Sequence, residues 1–199
     1  MQVSILIPYI RPENIEQVMH LAVKNAGIPA PEIQILAEYD QGRVGCPLMV
    51  KRLVSRASGS YLCFIGDDTR PLPGYLKHAI DQMALLPDGW GLVGFDDLSG
   101  RILPTHFLAD RRVLDLLGGE LFHTGYRHCF CDNELMDRLT AKGRFLYSKL
   151  AVVLHDNPIV KGTEITGEYA KIYHSNQYVR DQMLYFKRKK GGFPNEKHS

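Results

Sequence analysis

Short runs of β-favouring residues alternate with segments of helical period over the first 95 residues, and this alternation restricts the chain more than any other feature. Strands separated by helices pair chiefly in parallel, and helices then cover both faces of the sheet. The expected fold class is therefore α/β with a mostly parallel sheet. Residues 3–7, closed by Pro8, predict a first strand buried on both faces. Residues 13–26 carry apolar side chains at helical spacing, and Gly27 stops them. Strands are predicted at 33–37, 61–65, 91–95, 102–108 and 145–154. Helices are predicted from Pro47 to Gly59, over 73–86, from an Asp110 cap to Gly118, and over 132–142.

Ligands of such sheets sit beyond the carboxyl ends of the strands. Three of those ends are polar here: Pro8-Tyr9-Ile10-Arg11, Glu38-Tyr39-Asp40 and Gly66-Asp67-Asp68. Two adjacent carboxylates after a buried strand repel each other, and a hard cation relieves that repulsion while also holding phosphates. A solvated turn is the simpler use of Gly-Asp-Asp-Thr, so the neighbouring residues must decide between them.

They point one way. The run Tyr61-Leu62-Cys63-Phe64-Ile65-Gly66-Asp67-Asp68, with Pro73-Gly74-Tyr75 after it, resembles the metal-binding segment of family 2 glycosyltransferases. Residues 3–8 with Arg11 resemble that family's first strand, and Ala57-Ser58-Gly59-Ser60-Tyr61 its approach to the metal strand. Asp132-Asn133-Glu134-Leu135, Arg138-Leu139, Gly143 and the strand to His155 resemble its base-bearing helix and the strand beyond. The resemblance covers about residues 3–156 and implies a GT-A fold, a Rossmann-like sheet with flanking helices.

The resemblance also implies roles. Asp68 would bind Mn²⁺ or Mg²⁺, with His155 completing the metal site. Asp67 would lie near the donor. Pro8, Tyr9, Arg11, Glu38, Asp40 and Lys51 would hold a nucleotide-diphosphate sugar, a UDP-sugar first among them. Asp132 would be the general base of an inverting transfer to an acceptor hydroxyl, with Glu134 as its alternative. An Asp at that place is otherwise a helix cap. Gly66 replaces the first Asp of the family's Asp-x-Asp, and Glu38-Tyr39-Asp40 replaces its usual Asp-Asp-Gly-Ser. These departures keep a non-catalytic nucleotide-sugar-binding or scaffold protein as the rival. A nucleotidyltransferase would want a glycine-rich loop where Tyr9-Ile10-Arg11-Pro12 stands.

The expected organisation is one catalytic domain over 1–170, with its nucleotide-sugar half at 1–98 and its acceptor half at 99–170. A basic, aromatic tail follows at 171–199. That tail has a net charge of +5 and the remainder −3. It is read as a solvated terminus, with contact to an anionic membrane or a protein as the functional alternative and nucleic acid less expected. Residues 157–169, rich in Gly and Thr, are read as a lid in which Lys161 meets phosphate. His123, His128, Cys129 and Cys131 have an uncommon spacing for zinc. Four cysteines without a regular framework, and no apolar run of about 18 residues, point to a cytoplasmic protein, peripheral to a membrane if it meets one.

Overall fold

Seven strands form one sheet in the order β2-β1-β3-β6-β5-β7-β4. They are β1 (Val3–Tyr9), β2 (Ile33–Tyr39), β3 (Tyr61–Phe64), β4 (Thr69–Pro71), β5 (Leu92–Asp96), β6 (Phe107–Asp110) and β7 (Phe145–His155). The computed structural model describes residues 2–195; Met1 and, in the basic tail, Glu196 and Lys197 lie outside them. As expected for an α/β chain, β1 lies between β2 and β3, parallel to both, and is buried from Val3 to Ile7. The sheet is mixed, however: β5–β7 is also parallel, whereas β3–β6, β5–β6 and β4–β7 are antiparallel.

Two apolar clusters fill the two faces. On one, α1 (Ile15–Lys24) and α3 (Tyr75–Met83) pack Val18, Ala22, Leu76 and Ala79 against Ile5, Ile7 and Val93. On the other, α2 (Cys46–Arg56), α4 (Val113–Leu117) and α5 (Cys131–Thr140) pack Leu53, Val113 and Leu135 against Leu6, Leu62 and Phe107.

The structure corrects three details. The strand expected at 102–108 begins only at Phe107, because the preceding loop is held by Asp97, which accepts from Ser99 N at 3.0 Å and Thr105 Oγ1 at 3.3 Å. Asp110 ends β6 rather than capping α4; its carboxylate accepts from Arg112 N at 2.9 Å and pairs with the Arg112 guanidinium at 2.8 Å. β4, three residues between the strand expected at 61–65 and the helix expected at 73–86, adds an unpredicted strand to the sheet edge.

The C-terminal segment is part of the fold. After α6 (Pro158–Lys161) come α7 (Gly167–Tyr173) and α8 (Asn176–Lys190), and the expected boundary at 170/171 falls inside α7. α8 buries Asp181, Tyr185 and Arg188 against the α5 side of the domain. Its outer arc exposes Val179, Met183 and Phe186. Among the described residues no helix is long and apolar enough to cross a membrane.

Candidate active site

Sheet topology brings separate segments to one end of the strands. β4 pairs with β7 so that Thr69 faces His155, and Asp156 N donates to Asp68 O at 2.8 Å. This register sets the His155 side chain beside Asp68, with Nε2 3.3 Å from Oδ2. β3 pairs with β6 so that Phe64 faces Phe107, which leaves His106 just past the paired residues, next to Gly66. Asp97 follows β5 and lies 3.8 Å from His155 Nδ1. A carboxylate on the far nitrogen of an imidazole is the usual support of a metal-bound histidine.

These residues fit a divalent cation. Asp68, His106 and His155 each offer a ligand atom, and all three atoms lie within 4.8 Å of one another. The nitrogens on the Asp68 side are the Nε2 atoms, that of His155 3.3 Å from Asp68 Oδ2 and that of His106 beside Gly66; the two Nδ1 atoms, on the other edges of the rings, are buried without a hydrogen-bond partner. Burial would raise the Asp68 pKa, but the His155 and Tyr169 hydrogen bonds and the His106 ring carry it well below the usual range. Burial brings His106 down to about 3, leaving it neutral, whereas Asp68 and Asp97 overcome burial at His155 and raise it to about 9. The set contains His155 and Asp68 as expected and adds His106. His123, His128, Cys129 and Cys131 form no comparable group among the described residues.

Three other carboxylates shape the loops around this cluster. Asp67 accepts from Ile10 N at 2.7 Å, Arg11 N at 2.8 Å and Arg11 Nη1 at 2.6 Å, which ties the end of β1 to the metal strand. Asp40 accepts from Val44 N at 2.8 Å and Gly45 N at 2.9 Å, which shapes the entry to α2. Gly45 has φ +103°, and a Cβ there would lie 2.2 Å from Arg127 O, so only glycine allows α2 to start this close to the loop before α5. Asp181 of α8, 1% exposed, accepts from His128 N and Cys129 N, both at 2.9 Å, and from Arg127 N at 3.1 Å.

That loop delivers Asp132. Phe130 takes a left-handed conformation (φ +65°) with its ring stacked on Tyr185, and α5 starts immediately after it. Asp132 is thus inside the first turn of α5 rather than its cap. Its Oδ1 accepts from Asn133 N at 3.0 Å, and burial raises its pKa to about 6. Glu134, its alternative as base, is turned away into an ion pair with Arg188, Nε to Oε2 at 2.8 Å.

A cavity of about 920 Å³ joins the parts. Pro8, Tyr9, Arg11, Asp40, Asp67, Asp68, His106, Asp132 and His155 line it. Glu38 and Lys51 do not: Glu38 pairs with Arg56 at 2.5 Å and Lys51 with Glu120 at 2.5 Å, on the flank of α2. From residues 157–169, Glu168 and Tyr169 face the cavity, and Lys171 and Tyr173 just beyond that segment do so too. Lys161 does not; it pairs with Asp156 at 2.6 Å.

Three solved structures share this architecture. The mannosyltransferase PcManGT of Pyrobaculum calidifontis, in complex with GDP-Man and Mn²⁺, superimposes with a TM-score of 0.70 at 13% identity, over 94% of this chain and 64% of that one. The fold is GT-A. S. aureus TarS with UDP-GlcNAc matches at TM-score 0.62 and 11% identity, over 96% of this chain and 73% of that chain. Glucosyl-3-phosphoglycerate synthase of Mycobacterium tuberculosis, with Mn²⁺, UDP and phosphoglyceric acid, matches at 0.56 and 17%, over 78% and 71%. This chain thus spans under two thirds of the mannosyltransferase. No family model and no curated protein matches it in sequence.

In this structure the segment read as a lid touches Asp68. The Tyr169 hydroxyl donates to Asp68 Oδ2, Arg11 lies 4.6 Å over the Tyr169 ring, and Arg43 pairs with Glu168 at 2.6 Å. The hydroxyl therefore occupies a carboxylate lone pair that a cation would use. Tyr169→Phe is expected to bind Mn²⁺ several-fold more tightly and to be cut faster by trypsin after the exposed Lys161. Titration calorimetry and timed proteolysis check both, and no change in either would remove the competition.

Proposed function

We propose that this chain is a cation-dependent, inverting glycosyltransferase that moves a sugar from a nucleotide-diphosphate donor to an acceptor hydroxyl. One observation carries the reading: the Asp68–His155 cluster and Asp132, whose pKa is raised to about 6, line the same cavity. Its volume, about 920 Å³, is at the upper end for small-molecule sites and leaves room for donor and acceptor together. Arg11, Arg43, Arg127 and Lys171 also line it and suit the charge of a diphosphate. The likeness to PcManGT, TarS and the phosphoglycerate synthase supports a nucleotide sugar as ligand, and the ligands bound in those structures include both GDP and UDP forms. The base of the nucleotide is therefore left to experiment.

In this mechanism Asp132 accepts the hydroxyl proton as the acceptor oxygen bonds to the anomeric carbon. The bond from that carbon to the diphosphate oxygen breaks, and the nucleoside diphosphate leaves with the electron pair. A divalent cation held by Asp68 and His155 would neutralise charge on the departing diphosphate. Asp97 orients His155, Asp67 and Asp40 hold the donor-side loops, and Asp181 holds the loop that carries Asp132. Tyr169 and Tyr173 close the cavity from the lid side and limit water.

A thermal-shift screen of UDP-, GDP- and dTDP-sugars, each with and without Mn²⁺, tests the proposal. A donor at 100 times its Kd stabilises by about 2.7 kcal/mol, on the order of 5–10 °C for a chain of this size. The shift should need Mn²⁺, and the stabilising donor should release nucleoside diphosphate when an acceptor is present. Stabilisation without turnover on any acceptor would favour the binding-protein reading, and no shift with any donor would overturn both.

A further inference from the structure

A Cβ on residue 66 would lie 2.6 Å from Asp68 Oδ1 and 3.5 Å from His106 Nε2. The Asp68 carboxylate thus takes up the space beside Gly66, and His106 Nε2 stands at van der Waals distance from it. His106 is 3% exposed, and its Nε2 is the nitrogen on the Gly66 and Asp68 side. Its ring lies edge-on to His155, centroids 4.6 Å apart, and along Phe64 at 6.1 Å. Phe64 thus holds the imidazole in place while Asp68, His106 and His155 converge within 4.8 Å.

Building on the proposed cation dependence, we infer that His106 is a third protein ligand of the cation beside Asp68 and His155, and that this site selects a transition ion such as Mn²⁺ or Co²⁺ over Mg²⁺. Imidazole suits borderline transition ions, whereas Mg²⁺ takes oxygen ligands and gives up its water reluctantly. Two imidazoles and one carboxylate shift the site away from an all-oxygen shell. Three protein ligands also allow the ion to bind before any nucleotide arrives.

The test uses the full chain, metal ions alone and no nucleotide. Calorimetric titration of wild type should show one Mn²⁺ per chain, bound at least 10-fold more tightly than Mg²⁺. His106→Leu should lose at least 10-fold in Mn²⁺ affinity with little change for Mg²⁺. Electron spin echo modulation of bound Mn²⁺ should show two coupled imidazoles in wild type and one in the variant. His106→Gln repeats the comparison should the leucine variant fail to fold, with thermal melting in EDTA as the check. A purely structural His106 would change that melting temperature and leave the Mn²⁺/Mg²⁺ ratio and the imidazole count untouched. That outcome would overturn the inference, as would wild type binding no ion without nucleotide. Because no donor is present, failure of the glycosyltransferase reading shows separately, as absent turnover in a chain that still binds Mn²⁺ through both histidines.

Discussion

Asp132→Asn is expected to lower turnover by about 100-fold to 10⁴-fold, the range for loss of a positioned general base. Donor affinity and melting temperature should barely change. The amide keeps the size of the carboxylate and still accepts from Asn133 N, the contact now made at 3.0 Å. What it loses is the ability to take a proton. Burial raises the Asp132 pKa to about 6, so the carboxylate is ionised at neutral pH yet basic enough to hold a proton in the transition state. The sign of the pH dependence follows. Below about pH 6 Asp132 is protonated and cannot act as base, so kcat/KM should fall roughly tenfold per pH unit, and above it should level off. The residual rate of the asparagine variant should lack that acid limb. Kinetics with the donor chosen by thermal shift would measure both. An asparagine variant with more than a tenth of wild-type activity would place the base elsewhere.

Much of this site could be read before the fold was known, because strand ends in an α/β sheet are marked by where apolar runs stop. Asp68 and His155 each sit at such a stop, Asp132 lies in the first turn of a helix, and all three line the cavity. The use of each carboxylate could not be read. Asp67 and Asp68 are neighbours in one dipeptide, yet Asp67 is taken up by the backbone of residues 10 and 11 while Asp68 faces the imidazoles. That division depends on which way two side chains turn at the end of β3. Glu38 and Lys51 occupy sensible positions along the chain but face the flank of α2, where Arg56 and Glu120 meet them.

His106 carried no local signal. It lies between Thr105 and Phe107 in an apolar stretch, and only the antiparallel β3–β6 pairing carries it to Gly66. Asp181 was hidden for the opposite reason: it is an acid in a strongly basic tail, and a tail of that charge reads as solvated. Its three backbone N–H donors come from more than 50 residues upstream. Long-range pairings of this kind leave no periodicity behind.

Glu134→Gln is expected to cost about 3–5 kcal/mol of folding stability, the usual result of removing one member of a buried ion pair. Glu134 is 2% exposed and Arg188 5%. Arg188 grips the carboxylate with both arms, Nε to Oε2 at 2.8 Å and Nη2 to Oε1 at 2.9 Å, while the Tyr126 hydroxyl donates at 2.8 Å. Arg138 stands 3.4 Å from the same carboxylate. An amide would leave two guanidiniums facing each other without an anion. Burial alone would raise the Glu134 pKa, but Arg188 and Tyr126 hold it below the usual value. The pair's contribution is therefore complete above about pH 4.3, the ordinary glutamate pKa, and is lost as pH falls through the depressed folded value. Urea unfolding at pH 7 would measure the loss, and an apolar replacement of both partners, Glu134→Met with Arg188→Met, should recover part of it, since only the partly exposed Arg138 then loses its carboxylate. The same variant separates the two acids of α5. Turnover per folded molecule of Glu134→Gln should stay within a few-fold of wild type, because Glu134 points to α8 and away from the cavity. A stable Glu134→Gln protein with no turnover would reverse the roles of Asp132 and Glu134, and would make the ion pair with Arg188 a resting state of the base.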